Sequence, residues 1–119
     1  MFINFSNHPS GSWSEAQLSA AQAYGHILDI PFPTVQPDAS EEEIRKLADK
    51  IQSDITSKKP TVVLCQGEMT LMFEVVKRLI QKNISVVAAC SKRCATEAYI
   101  NGEMVKISSF KFVQFRKFN

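Results

Sequence analysis

Residues 5–13, with the sequence FSNHPSGSW, concentrate polar side chains directly after the first apolar run of the chain. Ser6 and Asn7 supply a hydroxyl and an amide, and His8 can act as a general acid or base near neutral pH. Trp13 follows at a position from which its ring either packs in the core or stacks on a base. Two interpretations stay open: the segment forms part of a ligand site, or it is a polar turn in which His8 bonds to the backbone.

Two further polar segments follow later apolar runs, and they are Gln66-Gly67-Glu68-Met69-Thr70 and Ser91-Lys92-Arg93. Gly67 allows a backbone to approach a ligand closely, and a helix that begins near Thr70 presents free N–H groups suited to a phosphate. Arg93 adds a guanidinium that can contact a phosphate through two hydrogen bonds. The alternatives are that Glu68 favours a helix N-terminus and that Ser91 and Arg93 belong to a solvated loop.

The surrounding pattern predicts strands that alternate with helices. Four apolar runs are the expected strands, namely Phe2–Phe5, His26–Pro33, Pro60–Gly67 and Ile84–Cys90. Two capping boxes are expected to open the first two helices, Ser12 with Glu15 and Ser40 with Glu43. Short strands separated by helices indicate parallel pairing through right-handed crossovers.

The end of the chain has a different pattern. Asn101-Gly102 is a strong signal for a two-residue hairpin turn, and Val105–Phe115 alternates like an antiparallel edge strand. The predicted fold is therefore α/β: a small Rossmann-like three-layer sandwich of four mainly parallel strands with a C-terminal antiparallel β-hairpin, in one domain over residues 1–119. Ligands of such sheets bind outside the carboxyl ends of the strands, so the three polar segments are expected to meet there.

Composition and motifs exclude several classes of function. The formal charge of +2 argues against a surface dedicated to duplex nucleic acid, and no apolar run approaches the roughly 20 residues that span a bilayer. The absence of G-x-G-x-x-G, P-loop and G-x-S-x-G motifs argues against dinucleotide oxidoreductases, P-loop NTPases and α/β-hydrolases. The chain has an odd number of cysteines without metal-type spacing, Cys65, Cys90 and Cys94. We expect free thiols in a reducing cytoplasm, no metal and no cofactor.

Part of the sequence resembles a known family. The opening strand that leads into FSNHPSGSW, the small Rossmann topology and the turn CQGE at residues 65–68 look like the compact CRISPR-associated Rossmann-fold (CARF-like) proteins of type III CRISPR loci. Some stand-alone members of that group are ring nucleases. They similarly open with a short strand, a Ser/Arg-His-Pro turn and a Trp a few residues further on.

The resemblance implies a homodimer whose two-fold axis faces a cyclic oligoadenylate, with tetra-adenylate as the expected ring. Such rings are cut without metal, because the ribose 2′-hydroxyl is held in line with its own phosphodiester while protein donors stabilise the developing charge. Carried onto this sequence, Ser6, Asn7 and His8 would contact ribose and phosphate, with His8 as the candidate for proton transfer. The residues that would hold an adenine or a phosphate are Gln66, Gly67, Glu68, Thr70, Ser91 and Arg93.

Two other functions stay open. A binding module would keep the pocket and would sense or sequester a nucleotide without cleaving it. A nucleoside hydrolase or transferase would use Glu68 as the nucleophile and would need a second carboxylate at a strand end. Asp29 is the only other acid that a predicted strand carries, and it lies inside its strand.

Overall fold

Five strands form a single sheet in the computed structural model, which describes all residues from Met1 to Asn119. The elements in chain order are β1 (Phe2–Ser6), α1 (Glu15–Gln22), β2 (Ile27–Pro31), α2 (Glu41–Ser57), β3 (Val62–Cys65), α3 (Met69–Gln81), β4 (Ser85–Ile100) and β5 (Glu103–Lys117). The sheet order is β2-β1-β3-β4-β5, in which β1 to β4 are parallel and β5 is antiparallel to β4. The predicted α/β fold with a C-terminal hairpin is therefore confirmed.

Helices cover both faces of the sheet because successive side chains of a strand point to opposite layers. Ile3 and Phe5 belong to the larger core, which α2 and α3 cover. Phe2 belongs to a smaller core under α1. The same alternation places Asn4 and Ser6 on the α1 side of β1, where both are buried although they are polar.

The first helix begins later than the sequence predicted. The expected cap at Ser12 is wrong, because the Ser12 hydroxyl donates to the Pro9 carbonyl at 2.8 Å within a short 3-10 turn. Ser14 caps α1 instead, and its Oγ accepts from the backbone of the first turn at 3.3 Å. The second expected cap is confirmed, since Ser40 Oγ accepts from the Glu43 N–H at 3.1 Å.

The fourth strand does not end at Cys90, as predicted, but continues to Ile100. Its pairing with β3 ends at Val87, and a bulge between Cys90 and Ser91 precedes a ladder that β4 forms with β5 alone. We call this self-paired hairpin, residues 91–112, the arm. It projects beyond the carboxyl ends of the parallel strands because β4 keeps its direction past the end of β3.

The hairpin turn explains why β4 extends beyond its apolar run. Asn101 and Gly102 have φ angles of 53° and 80°, which the two central positions of a type I′ turn require. The turn brings β5 back along β4, so that the backbone N–H and C=O groups of the extension find partners. The predicted two-residue turn is confirmed.

All three cysteines are free thiols, as the sequence predicted. Cys65 is buried in β3, and this burial raises the pKa of its thiol to about 12. Cys90 and Cys94 are half-buried on β4. Among the three α-helices, none combines the length and the apolar character that crossing a bilayer demands.

Candidate functional site

Two of the three predicted polar segments meet at the carboxyl edge of the sheet. β1 and β3 are neighbours, with Phe5 opposite Cys65, and the Gln66 N–H donates to the Phe5 carbonyl at 3.1 Å. The strand order reverses at this point, since β1 lies between β2 and β3. The segment that begins at Ser6 and the segment that begins at Gln66 therefore lie side by side at the topological switch point.

A buried hydrogen-bond network supports the first segment. Asn4 is 1% exposed, and its Nδ2 donates to Asp29 Oδ1 at 3.0 Å and to the His8 carbonyl at 2.9 Å. Ser6 Oγ donates to Asn4 Oδ1 at 2.6 Å. The other Asp29 oxygen accepts from the backbone N–H and the hydroxyl of Ser10, at 3.1 and 3.0 Å. The loop after β1 is thus fixed to both β1 and β2.

The network holds the backbone of His8 and leaves its side chain outside. The His8 carbonyl accepts from Asn4 Nδ2 and from Trp13 Nε1 at 3.0 Å, and the His8 N–H donates to Ser6 Oγ at 3.2 Å. Its imidazole is exposed and makes no hydrogen bond within the chain, and the neighbouring Asn7 is exposed as well. A rigid loop therefore presents two polar side chains to an incoming ligand.

Sequence reasoning missed Asn4 and Asp29, which organise this loop. A signal was present, because each is a polar residue in the middle of an apolar run, and the parallel register places them opposite each other. A buried polar side chain has to find a partner, so an isolated Asn inside a covered strand indicates a network. Together with Ser6, Asn7 and Pro9 they line a cleft of about 360 Å³.

Trp13 packs against the core, which is one of the two roles that the sequence left open for it. Its half-buried ring lies 6.2 Å, centroid to centroid, from both Phe2 and Phe115. Its indole N–H is used by the His8 carbonyl. Trp13 thus anchors the loop on the hairpin side of the small core.

The second segment caps its own helix. The Glu68 carboxylate accepts from the Leu71 N–H at 2.9 Å, from the Thr70 N–H at 3.1 Å and from the Thr70 hydroxyl. These hydrogen bonds hold the pKa of Glu68 below its ordinary value, and the one from the Leu71 N–H has the largest effect. The expectation that the first N–H groups of α3 are free for a phosphate is therefore wrong, because the preceding side chain already occupies them.

Gly67 and Gln66 also have internal partners. A Cβ added at Gly67 would lie 2.5 Å from ring atoms of Phe32, so close packing explains the glycine. Gln66 Oε1 accepts from the Ala89 N–H at 3.2 Å, which continues the connection between β3 and β4 beyond their ladder. Gln66 therefore joins the switch point to the base of the arm.

The third segment is not a loop. Ser91 and Arg93 lie in the extended part of β4, and Arg93 is opposite Phe110 in the ladder with β5. Arg93 Nη2 donates to Ser108 Oγ at 3.2 Å. The prediction of a polar loop after the fourth strand is wrong because the hairpin continues the strand, and these side chains stand on the arm rather than beside the ends of β1 and β3.

A larger groove opens on the α2 and α3 side of the sheet. Its volume is about 720 Å³, and the residues that give it its character are Glu41, Arg45, Glu68, Met69, Phe73 and Glu74. We call it the acidic groove. Met69 and Phe73 are 77% and 61% exposed, so the groove combines carboxylates with uncovered apolar surface. In this groove and in the rest of the protein, no three His, Cys, Asp or Glu side chains lie close enough together to hold a metal ion.

The fold and the edge cleft define a small Rossmann-like α/β protein with a candidate ligand site at its switch point. A family model described as "Uncharacterized protein MJ1673 family" matches residues 1–116, and the chain therefore belongs to the MJ1673 family. The chain is 35% identical over 57 residues to "Uncharacterized protein MJ1673" of Methanocaldococcus jannaschii, which is 48% of this chain and 44% of the relative. The matched stretch is thus less than half of that relative's length. No solved structure matches the chain.

Proposed function

We propose that this protein binds a cyclic oligoadenylate, with tetra-adenylate as the expected ring, at the carboxyl end of β1, where the cleft lies between β1 and β2 beside the switch point. One observation carries the proposal: the hydrogen bonds of the buried Asn4 to Asp29 and to the His8 carbonyl fix the loop, while the side chains of Asn7 and His8 stay exposed at its surface. A satisfied polar network is not needed to fill an apolar core, but it does fix the geometry of a binding loop.

The choice of ligand comes from the resemblance of FSNHPSGSW and CQGE to the CARF-like proteins of type III CRISPR systems. In this proposal two chains face one ring, and the amide of Asn7 and the imidazole of His8 donate to its ribose and phosphate groups. Lys92 and Arg93 stand at the base of the arm, which leaves the same edge of the sheet, and in this proposal they reach the ring from there and supply the positive charge that phosphates require. The acidic groove has the wrong charge to bind phosphates, and this favours the cleft as the ligand site.

Binding is tested by calorimetry with cyclic tetra-adenylate, and with linear tetra-adenylate and AMP as controls. We expect the ring to bind and Arg93→Ala to weaken it by about 1.5–3 kcal/mol, the range for hydrogen bonds to charged groups. His26→Ala is the control for the loss of an exposed side chain far from the proposed site, because His26 lies just before β2 at the opposite edge of the sheet. A ring that does not bind the wild-type protein contradicts the proposal.

Cleavage of the ring is the second candidate function, and the exposed imidazole on a fixed backbone favours it. His8 would take the proton of the ribose 2′-hydroxyl as that oxygen attacks the adjacent phosphate. The bond between phosphorus and the 5′-oxygen breaks, and the 5′-oxygen takes a proton from water, which leaves a 2′,3′-cyclic phosphate and a 5′-hydroxyl. A general base contributes typically about 10²- to 10⁴-fold, so His8→Ala should lower the single-turnover rate by at least about 10²-fold with affinity within a few-fold. Binding without any product assigns the protein to the binding-module alternative.

The nucleoside hydrolase or transferase alternative is less favoured, because it needs a carboxylate that is free to act as the nucleophile. Both carboxylate oxygens of Glu68 accept hydrogen bonds from the first turn of α3. The two carboxylate oxygens of Asp29 accept hydrogen bonds from Asn4 and from Ser10. Neither carboxylate is therefore available to attack a sugar carbon.

A further inference from the structure

The arm exposes apolar side chains that nothing in its own chain covers. Six of the exposed large apolar residues of the protein lie on it, and they are Tyr99, Ile100, Met104, Val105, Ile107 and Phe110. The two strands of the arm pair only with each other. A two-stranded hairpin gains little stability by itself in water, so a surface that covers the apolar side chains of the arm would stabilise it.

The acidic groove has the complementary character. The arm carries four basic and two acidic residues, whereas the lining of the groove has Glu41, Glu68 and Glu74 against Arg45, with Lys77 and Arg78 bound to Glu74 from the following turn of α3. Hydrogen bonds lower the pKa of Glu68 and of Glu74, the latter from Arg78 and Lys77, so both carboxylates are ionised at neutral pH. Uncovered apolar side chains, Met69 and Phe73, lie among these charges.

Both surfaces lie at the same edge of the sheet. The arm leaves the carboxyl end of the β4 ladder, and the groove lies at the first turns of α2 and α3, which follow the carboxyl ends of β2 and β3. We infer that two copies of this chain assemble by reciprocal exchange, in which the arm of each copy packs into the acidic groove of the other. A two-fold axis across this edge forms both contacts at once.

The area of such an exchange is sufficient for a stable dimer. At about 3.3 Å per residue and about 4.8 Å between strands, one face of the arm measures about 33 by 10 Å. Two arm–groove contacts would then bury about 1,300 Å², counted over both partners, which lies within the range of specific interfaces. The apolar residues of the arm favour a protein surface over a nucleic acid, because Ile, Val and Met side chains gain little from contact with phosphates.

A photo-cross-linking experiment tests the inference directly. Tyr99→p-benzoylphenylalanine places a reactive ring near the tip of the arm, where the native side chain is 74% exposed. After mixing and irradiation of ¹⁴N- and ¹⁵N-labelled protein, we expect cross-linked peptides that join the arm of one isotope to the groove of the other, at residues 35–45 or 68–74. Cross-links found only within one chain, or only to other parts of the second copy, overturn the exchange.

The dimer dissociation constant provides an independent test that needs no nucleotide. Phe73→Lys puts a cation in the groove opposite the basic arm and should raise this constant by about 30-fold or more, as for an interface hot spot. Gln22→Lys adds the same charge on the exposed surface of α1, on the other face of the sheet, and should change it by less than about threefold. Circular dichroism checks that both variants fold.

A second variant on the arm covers the case in which Phe73→Lys does not fold. Met104→Glu, which is opposite Tyr99 near the turn and puts a carboxylate against the acidic groove, should weaken the dimer comparably. A wild-type protein that light scattering shows to be monomeric at micromolar concentration overturns the inference, as does a monomer that binds duplex DNA through the lysines of its arm. These outcomes are separate from ring binding, which calorimetry measures on the same proteins.

Discussion

The loop after β1 and the arm leave the same edge of the sheet, but they are held in opposite ways. The loop is fixed by side chains that are buried in its own chain, with Asn4 at the centre. The arm has its backbone hydrogen bonds within the hairpin and its apolar side chains in solvent. The backbone of the first region is held in a fixed geometry, whereas the second exposes apolar side chains that its own chain does not cover.

Breaking the network should produce the largest effect on stability. Asn4→Leu keeps the volume of the side chain but leaves the buried Ser6 hydroxyl without its acceptor and removes one donor each from Asp29 and from the His8 carbonyl. We expect a loss of about 2–4 kcal/mol in the free energy of unfolding, because buried polar groups are left unpaired. Urea unfolding followed by circular dichroism measures it. Asn7→Ala, on the exposed side of the same loop, should cost less than about 0.5 kcal/mol, and equal losses would contradict the distinction.

A change in the turn should act on the arm alone. Gly102 has a φ of 80° and open space around it, so Gly102→Ala should cost about 1 kcal/mol through backbone strain. Hydrogen exchange should quicken about fivefold for arm amides and stay unchanged in β1. Gly11→Ala is the control, because Gly11 also has open space and its φ does not lie in the left-handed region. Faster exchange in β1 would show that the two regions open together.

Gln66 connects the two regions, and its removal tests how strongly they are joined. Gln66→Met leaves the Ala89 N–H without its acceptor and should cost about 1 kcal/mol. Exchange should quicken at the base of the arm, around residues 88–90. Gln81→Met, at an exposed position of α3, is the control for the change of side chain. Equal exchange rates in both variants would show that the 3.2 Å contact does not hold the arm.

The smallest expected effect concerns acid sensitivity at the start of α3. The pKa of Glu68 lies below its ordinary value of 4.5 in the folded protein, so its ionised form stabilises the fold above that pH. This contribution is lost as the pH falls through the lower, folded-state pKa. Glu68→Gln should therefore be less stable than the wild type at pH 6, and the difference should narrow as the pH falls below 4.5. Glu15→Gln, in the first turn of α1, should show a smaller difference, and a gap that widens toward low pH would contradict the cap.

Much of the fold followed from local patterns. The apolar run PTVVLCQG predicted a strand buried on both faces, and β3 is such a strand. Ser40 with Glu43 predicted the start of α2, and Asn101-Gly102 predicted the turn of the hairpin. These predictions were correct because they depend on alternation, capping and turn geometry, which neighbouring residues determine by themselves.

The candidate site followed from the sequence only in its position. The strand-end rule brought Ser6 and Gln66 together, and the structure confirms that neighbourhood. The strand-end rule could not predict the position of Arg93, because the end of β4 depends on whether a distant strand continues the ladder. Nor could it show that Glu68 would occupy the helix N-terminus that was expected to hold a phosphate.

The sequence by itself determined the order of elements, the parallel sheet and the hairpin turn, since each depends on the periodicity of apolar residues or on a turn of two residues. Only the tertiary structure decided which polar side chains are internal and which are exposed. Asn4 and Asp29 are 25 positions apart in the chain and become partners through the register of β1 with β2. A hydrogen bond between distant residues depends on that register, and the register is fixed when whole strands pack, because a slip of one residue would turn every buried side chain to the opposite face.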